Sequence, residues 1–108
     1  MKKVLLALVF VLVAAPVFAA FVVGRATVGT SATLIYTSPP SRSQAQVRIC
    51  NRGAASVFIG PAGVTTTSGF EIVAAGCETV TPFKNDTVWG VVASGTNVIH
   101  WAEVAYIK

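Results

Sequence analysis

The chain has 108 residues, of which 8 are Lys or Arg and 4 are Asp or Glu, for a formal charge of +4. That length supports one domain, and the charge is too small to argue for nucleic acid. Beyond the N-terminus the cations Arg25, Arg42, Arg48, Arg52, Lys84 and Lys108 are scattered, with no basic run and no stripe interleaved with aromatics, so they read as a solvated surface.

Lys2 and Lys3 precede an uncharged run from Val4 to Val23 that ends at Gly24 and Arg25. A basic start, an apolar stretch and the small-x-small site Val17-Phe18-Ala19 describe a secretory signal peptide over residues 1–19, cut after Ala19. The alternative is a retained hydrophobic helix over residues 4–23, about long enough to cross a bilayer, with Pro16 tolerated near its end. Cleavage would remove Lys2 and Lys3 and lower the charge from +4 to +2. The single domain is expected over residues 25–108.

From Arg25 on, Val, Thr, Ile, Ala and Gly dominate, and turn signals recur every 8 to 12 residues, which is an all-β pattern. Strands are predicted near Ala26–Val28, Thr33–Tyr36, Gln44–Cys50, Ser56–Gly60, Glu78–Phe83, Thr87–Ala93 and Asn97–Ile107. The clearest is Gln44–Cys50, where Ala45, Val47 and Ile49 alternate with Gln44, Gln46 and Arg48. Asn97–Ile107 carries large apolar groups on both faces, as for a strand buried on two sides or covered by a neighbouring subunit. Seven short strands predict a compact antiparallel β-sandwich with Greek-key or jelly-roll-like connections, behind an N-terminal hydrophobic helix.

Cys50 and Cys77 are the only cysteines. In an oxidising compartment they favour a disulfide, and in the cytosol two buried free thiols. With one distant histidine they do not make a structural zinc set, and no metal or cofactor is expected.

Chemistry is sparse. Glu71, Glu78, Asp86 and Glu103 are the acids and His100 the lone imidazole. Glu71 and Glu78 sit beside turns, as solvated carboxylates do, rather than across a sugar-binding cleft. His100 and Glu103 have odd spacing on one strand and so point to opposite faces. His100 reads as a core or interface histidine, and no G-x-S-x-G elbow is present. Gly53, Gly60, Gly63 and Gly69 match neither dinucleotide nor phosphate-loop spacing and serve as turn residues. Asn85-Asp86-Thr87 fits a glycosylation sequon and also a turn. No catalytic residue and no small-molecule substrate is expected.

The segment Ile49-Cys50-Asn51-Arg52-Gly53, then Val57-Phe58-Ile59-Gly60, then Val64-Thr65-Thr66-Thr67-Ser68-Gly69-Phe70, then Ala74-Ala75-Gly76 resembles a small β-sandwich domain of bacteriophage virion structural proteins. The segment Val88 to Val98 is similar to that family's penultimate strand and turn, so the likeness runs over roughly Ala26 to Ile107. The resemblance implies a non-enzymatic minor coat, decoration or spike protein that self-associates and contacts other coat proteins. It supplies no catalytic residues. An apolar leader suits a virion that assembles at a membrane, with membrane association if residues 4–23 are retained.

Function would then lie in surfaces, with Phe58, Phe70, Trp89, Trp101 and Tyr106 divided between core and interface. The alternative is a bacterial module exported to the periplasm or cell surface, which recognises a glycan or protein through exposed aromatics such as Trp89 and Trp101. A secreted hydrolase would need convergent acids that the strand parity does not supply.

Overall fold

A computed structural model describes residues 17–108, with side chains from Val22 onward. The basic start and the greater part of the predicted leader or hydrophobic helix, residues 1–16, lie outside the described residues.

Eight strands follow in order: β1 (Val17–Val28), β2 (Thr33–Thr37), β3 (Gln44–Asn51), β4 (Val57–Gly60), β5 (Phe70–Ile72), β6 (Cys77–Val80), β7 (Thr87–Val91) and β8 (Asn97–Ile107). They form two antiparallel four-stranded sheets, β1-β8-β3-β6 and β2-β7-β4-β5. The pairs β1–β8, β2–β7, β3–β6 and β4–β5 are those of one long hairpin folded over on itself, which is the jelly-roll order.

Two features differ from the sequence-based reading. The strand Phe70–Ile72 was not predicted, because three residues after a threonine-rich loop are too short to show a period. β1 also begins at Val17, where Val17, Phe18 and Ala19 pair with Ile107, Tyr106 and Ala105. The segment that reads as a cleavage site is therefore paired against the last residues of β8.

The core lies between the sheets. Alternation puts Ala45, Val47 and Ile49 of β3 inside with Val57 and Ile59 of β4, Ile99 of β8, Val28 of β1 and Ile35 of β2. Burying such aliphatic side chains contributes about 1.5–3 kcal/mol each, and β-branched residues fit the pleated surface well.

The mixed faces of β8 have a local cause rather than burial on two sides. Gln46 pairs with Ala105 but Val47 with Glu103, which leaves Val104 as a bulged residue. Before the bulge the odd positions Ile99, Trp101 and Glu103 face inward; after it Tyr106 does, opposite the buried Ala45.

Candidate functional site

The Asn51–Gly69 stretch folds into its own supports. Asn51 is fully buried at the end of β3, and its Nδ2 donates to the carbonyls of Ala55 at 2.7 Å and Ile72 at 3.0 Å. Its Oδ1 accepts the Gly53 N–H at 2.9 Å. Asn97 Nδ2 also donates to the Ala55 carbonyl, and a Cβ on Gly53 would fall within the Asn97 side chain. Asparagine and glycine are both needed here because one side chain serves three backbone groups in a space without room for another.

The threonine loop is closed in the same way. Thr65 Oγ1 lies 3.0 Å from Ser68 Oγ and accepts the Ser68 N–H, and Gly69 N–H donates to the Thr65 carbonyl. The Thr65 and Ser68 hydroxyls are thus turned on one another and on the loop's own backbone. Asn85-Asp86-Thr87 likewise includes a turn: Asn85 has a φ of 66°, Phe83 N–H donates to Asp86 Oδ2, and Asp86 N–H to the Phe83 carbonyl.

A buried ionic cluster lies between the sheets. Glu103 is 1% exposed, and the Tyr36 hydroxyl donates to its Oε2 at 2.5 Å. Arg42 Nε lies 3.1 Å from Oε1, near enough for charge pairing but without hydrogen-bond alignment. The guanidinium also covers the Tyr106 ring at 4.1 Å from its centroid. Burial, and then the adjacent Glu103 carboxylate, raise the Tyr36 phenol well above the ordinary tyrosine range. That Glu103 is the buried acid is not legible in the residue pattern, because its face of β8 carries Ile99 and Trp101 while the face of His100 carries the comparably apolar Val98 and Ala102.

The expected interface aromatics divide. Trp101 turns inward and meets Tyr36 edge-on, 4.9 Å between centroids, and Tyr106 also packs against the core. Trp89 is half-buried, with Nε1 donating to Thr87 Oγ1 at 3.0 Å, and Phe58 is half-buried on the outer side of β4. Phe70 alone stands 58% exposed. A glycan platform through Trp101 would have only a half-buried ring, already packed against Tyr36.

Two surfaces remain with a distinct character. At one side both sheets end in short strands, β5 and β6, and a cleft of about 460 Å³ between them is lined by Ile59, Pro61, Phe70, Glu78, Val80 and Val88. Val73, just after β5, and Phe83, three residues after β6, are also exposed.

On the outer face of the first sheet, Arg25, His100, Cys50 and Cys77 form one row across all four strands. Val23, Ala102, Arg48 and Thr79 form the next row. Cys50 and Cys77 are joined by a disulfide with Cα atoms 4.0 Å apart. His100 is exposed on this face, not in the core as one reading of the sequence has it. Among the described residues no group of three or more His, Cys, Asp and Glu is placed to hold a metal ion, and no helix is long and apolar enough to cross a membrane.

No protein-family model and no curated protein sequence matches the chain. Among solved structures, a chain from Bacillus endospore appendages, described as a novel family of disulfide-linked pili, matches with a TM-score of 0.54 and 20% sequence identity. The match covers 84% of this chain and 88% of the other, so the two share a fold across nearly all of each.

Proposed function

We infer that this chain is a non-enzymatic, exported structural subunit that works by self-association, and that copies meet through the β5–β6 side. The observation that carries this reading is the open apolar rim. Two edge strands of three and four residues end the two sheets around a cleft into the core; Phe70 of β5 lines it at 58% exposure, and Phe83, three residues beyond β6, is 60% exposed. A second copy is the occupant favoured here, because the Bacillus endospore appendage chain with the same fold belongs to a pilus-forming family. A contact of this side with a different patch on the next copy is heterologous and extends into a filament or closes into a ring.

Sedimentation velocity on the purified chain over a wide concentration range tests the reading. Concentration-dependent assembly is expected, and Phe70→Ser with Phe83→Ser should shift its midpoint at least about ten-fold higher, as for loss of an interface anchor. A wild-type chain that stays monomeric throughout would overturn it.

Two settings fit such a subunit. The shared fold favours a cell-surface appendage. The pattern from Ile49 to Gly76 and the apolar leader favour a coat or decoration protein of a membrane-assembled virion. Mass spectrometry of sheared surface fibres and of purified virions separates the two. Export through the leader, with cleavage after Ala19, leaves β1 to begin at Ala20 and still pair from Val22 to Val28 with β8.

A further inference from the structure

The geometry points to the Cys50–Cys77 disulfide as a thiol-exchange site, at which a small carboxylate-bearing thiol forms a mixed disulfide with Cys77. This goes beyond self-association and stands independently of it.

Three observations converge. First, the bond lies on the outer face of its sheet, since the neighbours of Cys50 in β3, Ile49 and Asn51, are buried and Cys50 itself is not. Secondly, the two sulfurs differ in access. Cys50 sits on an inner strand between β8 and β6 and is half-buried, whereas Cys77 is exposed on β6, the last strand of the sheet. An approaching thiolate therefore reaches Cys77 from the open edge.

Thirdly, the surroundings of Cys50 are cationic. Arg48 precedes it by two residues on the same face, His100 is its cross-strand partner on β8, and Arg25 pairs with His100 one strand further on. Arg25, Arg48, His100 and Cys50 line a common depression of about 470 Å³. Strands lie about 4.8 Å apart and residues two apart on a strand about 7 Å, so the backbones of Arg48 and Arg25 stand about 7 and about 10 Å from that of Cys50, on the scale of the Debye length at physiological salt.

No acid counters them on this face. Glu103 is buried with Tyr36; Glu78, next to Cys77 on β6, pairs with the inward-facing Ile49 and turns into the β5–β6 cleft rather than onto the outer face; Glu71 lies opposite Phe58 in the other sheet, and Asp86 is held in the turn with Phe83.

The step is a simple displacement. The external thiolate attacks Cys77 Sγ, a new S–S bond forms there, and the Cys50–Cys77 bond breaks. The electron pair leaves on Cys50 Sγ as a thiolate, so no further oxidant or reductant is needed. Nearby positive charge lowers the basicity of that leaving thiol and speeds its departure. The same charge draws in a thiol that carries carboxylates.

The test treats the folded, oxidised protein with glutathione, which carries carboxylates, or with cysteamine, which carries an ammonium, at matched thiolate concentrations. Iodoacetamide quenching caps the released thiol, and peptide mapping by mass spectrometry locates both modifications. The glutathione adduct is expected on Cys77 with the alkyl group on Cys50, and at a rate above that of cysteamine. Arg48→Gln and Arg25→Gln should each slow the glutathione reaction about two- to five-fold, the scale of one exposed charge contact, without slowing cysteamine. An adduct on Cys50, equal rates for the two thiols, or exchange only at the rate of global unfolding would each overturn the site and leave a plain structural staple.

Discussion

Tyr36 and Glu103 form the most demanding contact in the molecule, because a carboxylate that is 1% exposed needs both a proton donor and a counter-charge. Breaking a buried charged pair is costly, since the group left behind keeps its desolvation penalty. The contact also sets a pH limit. In the unfolded chain Tyr36 loses its proton near pH 10, whereas in the fold burial and Glu103 retain it well above that. The stabilisation is therefore fully present below about pH 10 and declines by about 1.4 kcal/mol per pH unit above it, because the folded state then binds the extra proton. Tyr36→Phe should cost about 1–3 kcal/mol at neutral pH by leaving a carboxylate oxygen unpartnered. It should also flatten the alkaline decline. Urea midpoints of both proteins between pH 8 and pH 11 check the two effects together. At this scale the sequence was legible in part: the opposite orientation of His100 and Glu103 follows from their spacing, but which of the two is buried does not.

Strands with a clean period of two were readable in the sequence, and the irregular ones were not. β3 shows its core face directly in Ala45, Val47 and Ile49. β8 does not, because the bulge at Val104 moves the inward face from Trp101 and Glu103 to Tyr106. β5 has three residues and owes its existence to pairing with Val57–Ile59 rather than to its own pattern. β1 and β8 are further fitted to each other at one point. Gly24 pairs with Trp101, and a Cβ there would lie 2.5 Å from Trp101 Cζ2. Glycine at this position lets the indole lie over the strand and reach Tyr36. Gly24→Ala should displace the indole and destabilise the fold by about 1–3 kcal/mol, as overpacking does. Combining it with Trp101→Leu should cost less than the sum of the two changes, since they share one space. Urea unfolding of the three variants, with tryptophan fluorescence to follow the indole, measures the coupling.

The jelly-roll order makes the whole molecule depend on pairings distant in sequence, with β1 closed by β8 and β2 by β7. Such contacts give little back until long loops have been closed. The disulfide acts on this problem. Its sequence separation of 27 encloses β4 and β5, half of the second sheet, and fixes the β3–β6 register from which the remaining turns must fold back. In the chain-entropy account a loop of that length confers roughly 3 to 4 kcal/mol by restricting the unfolded chain. For a domain of this size that is a large part of the total stability. Cys50→Ala with Cys77→Ala should therefore lower the unfolding free energy by about 3–4 kcal/mol in the chain-entropy account, with the larger denaturant slope of a more expanded unfolded state. A matching loss on adding dithiothreitol to the wild type would assign the effect to the bond rather than to the packing of two sulfur atoms. If the loss stays below about 1 kcal/mol, the register of β3 and β6 is held by Val47–Val80 and Ile49–Glu78 pairing alone. Opening the bond would then leave the sandwich intact.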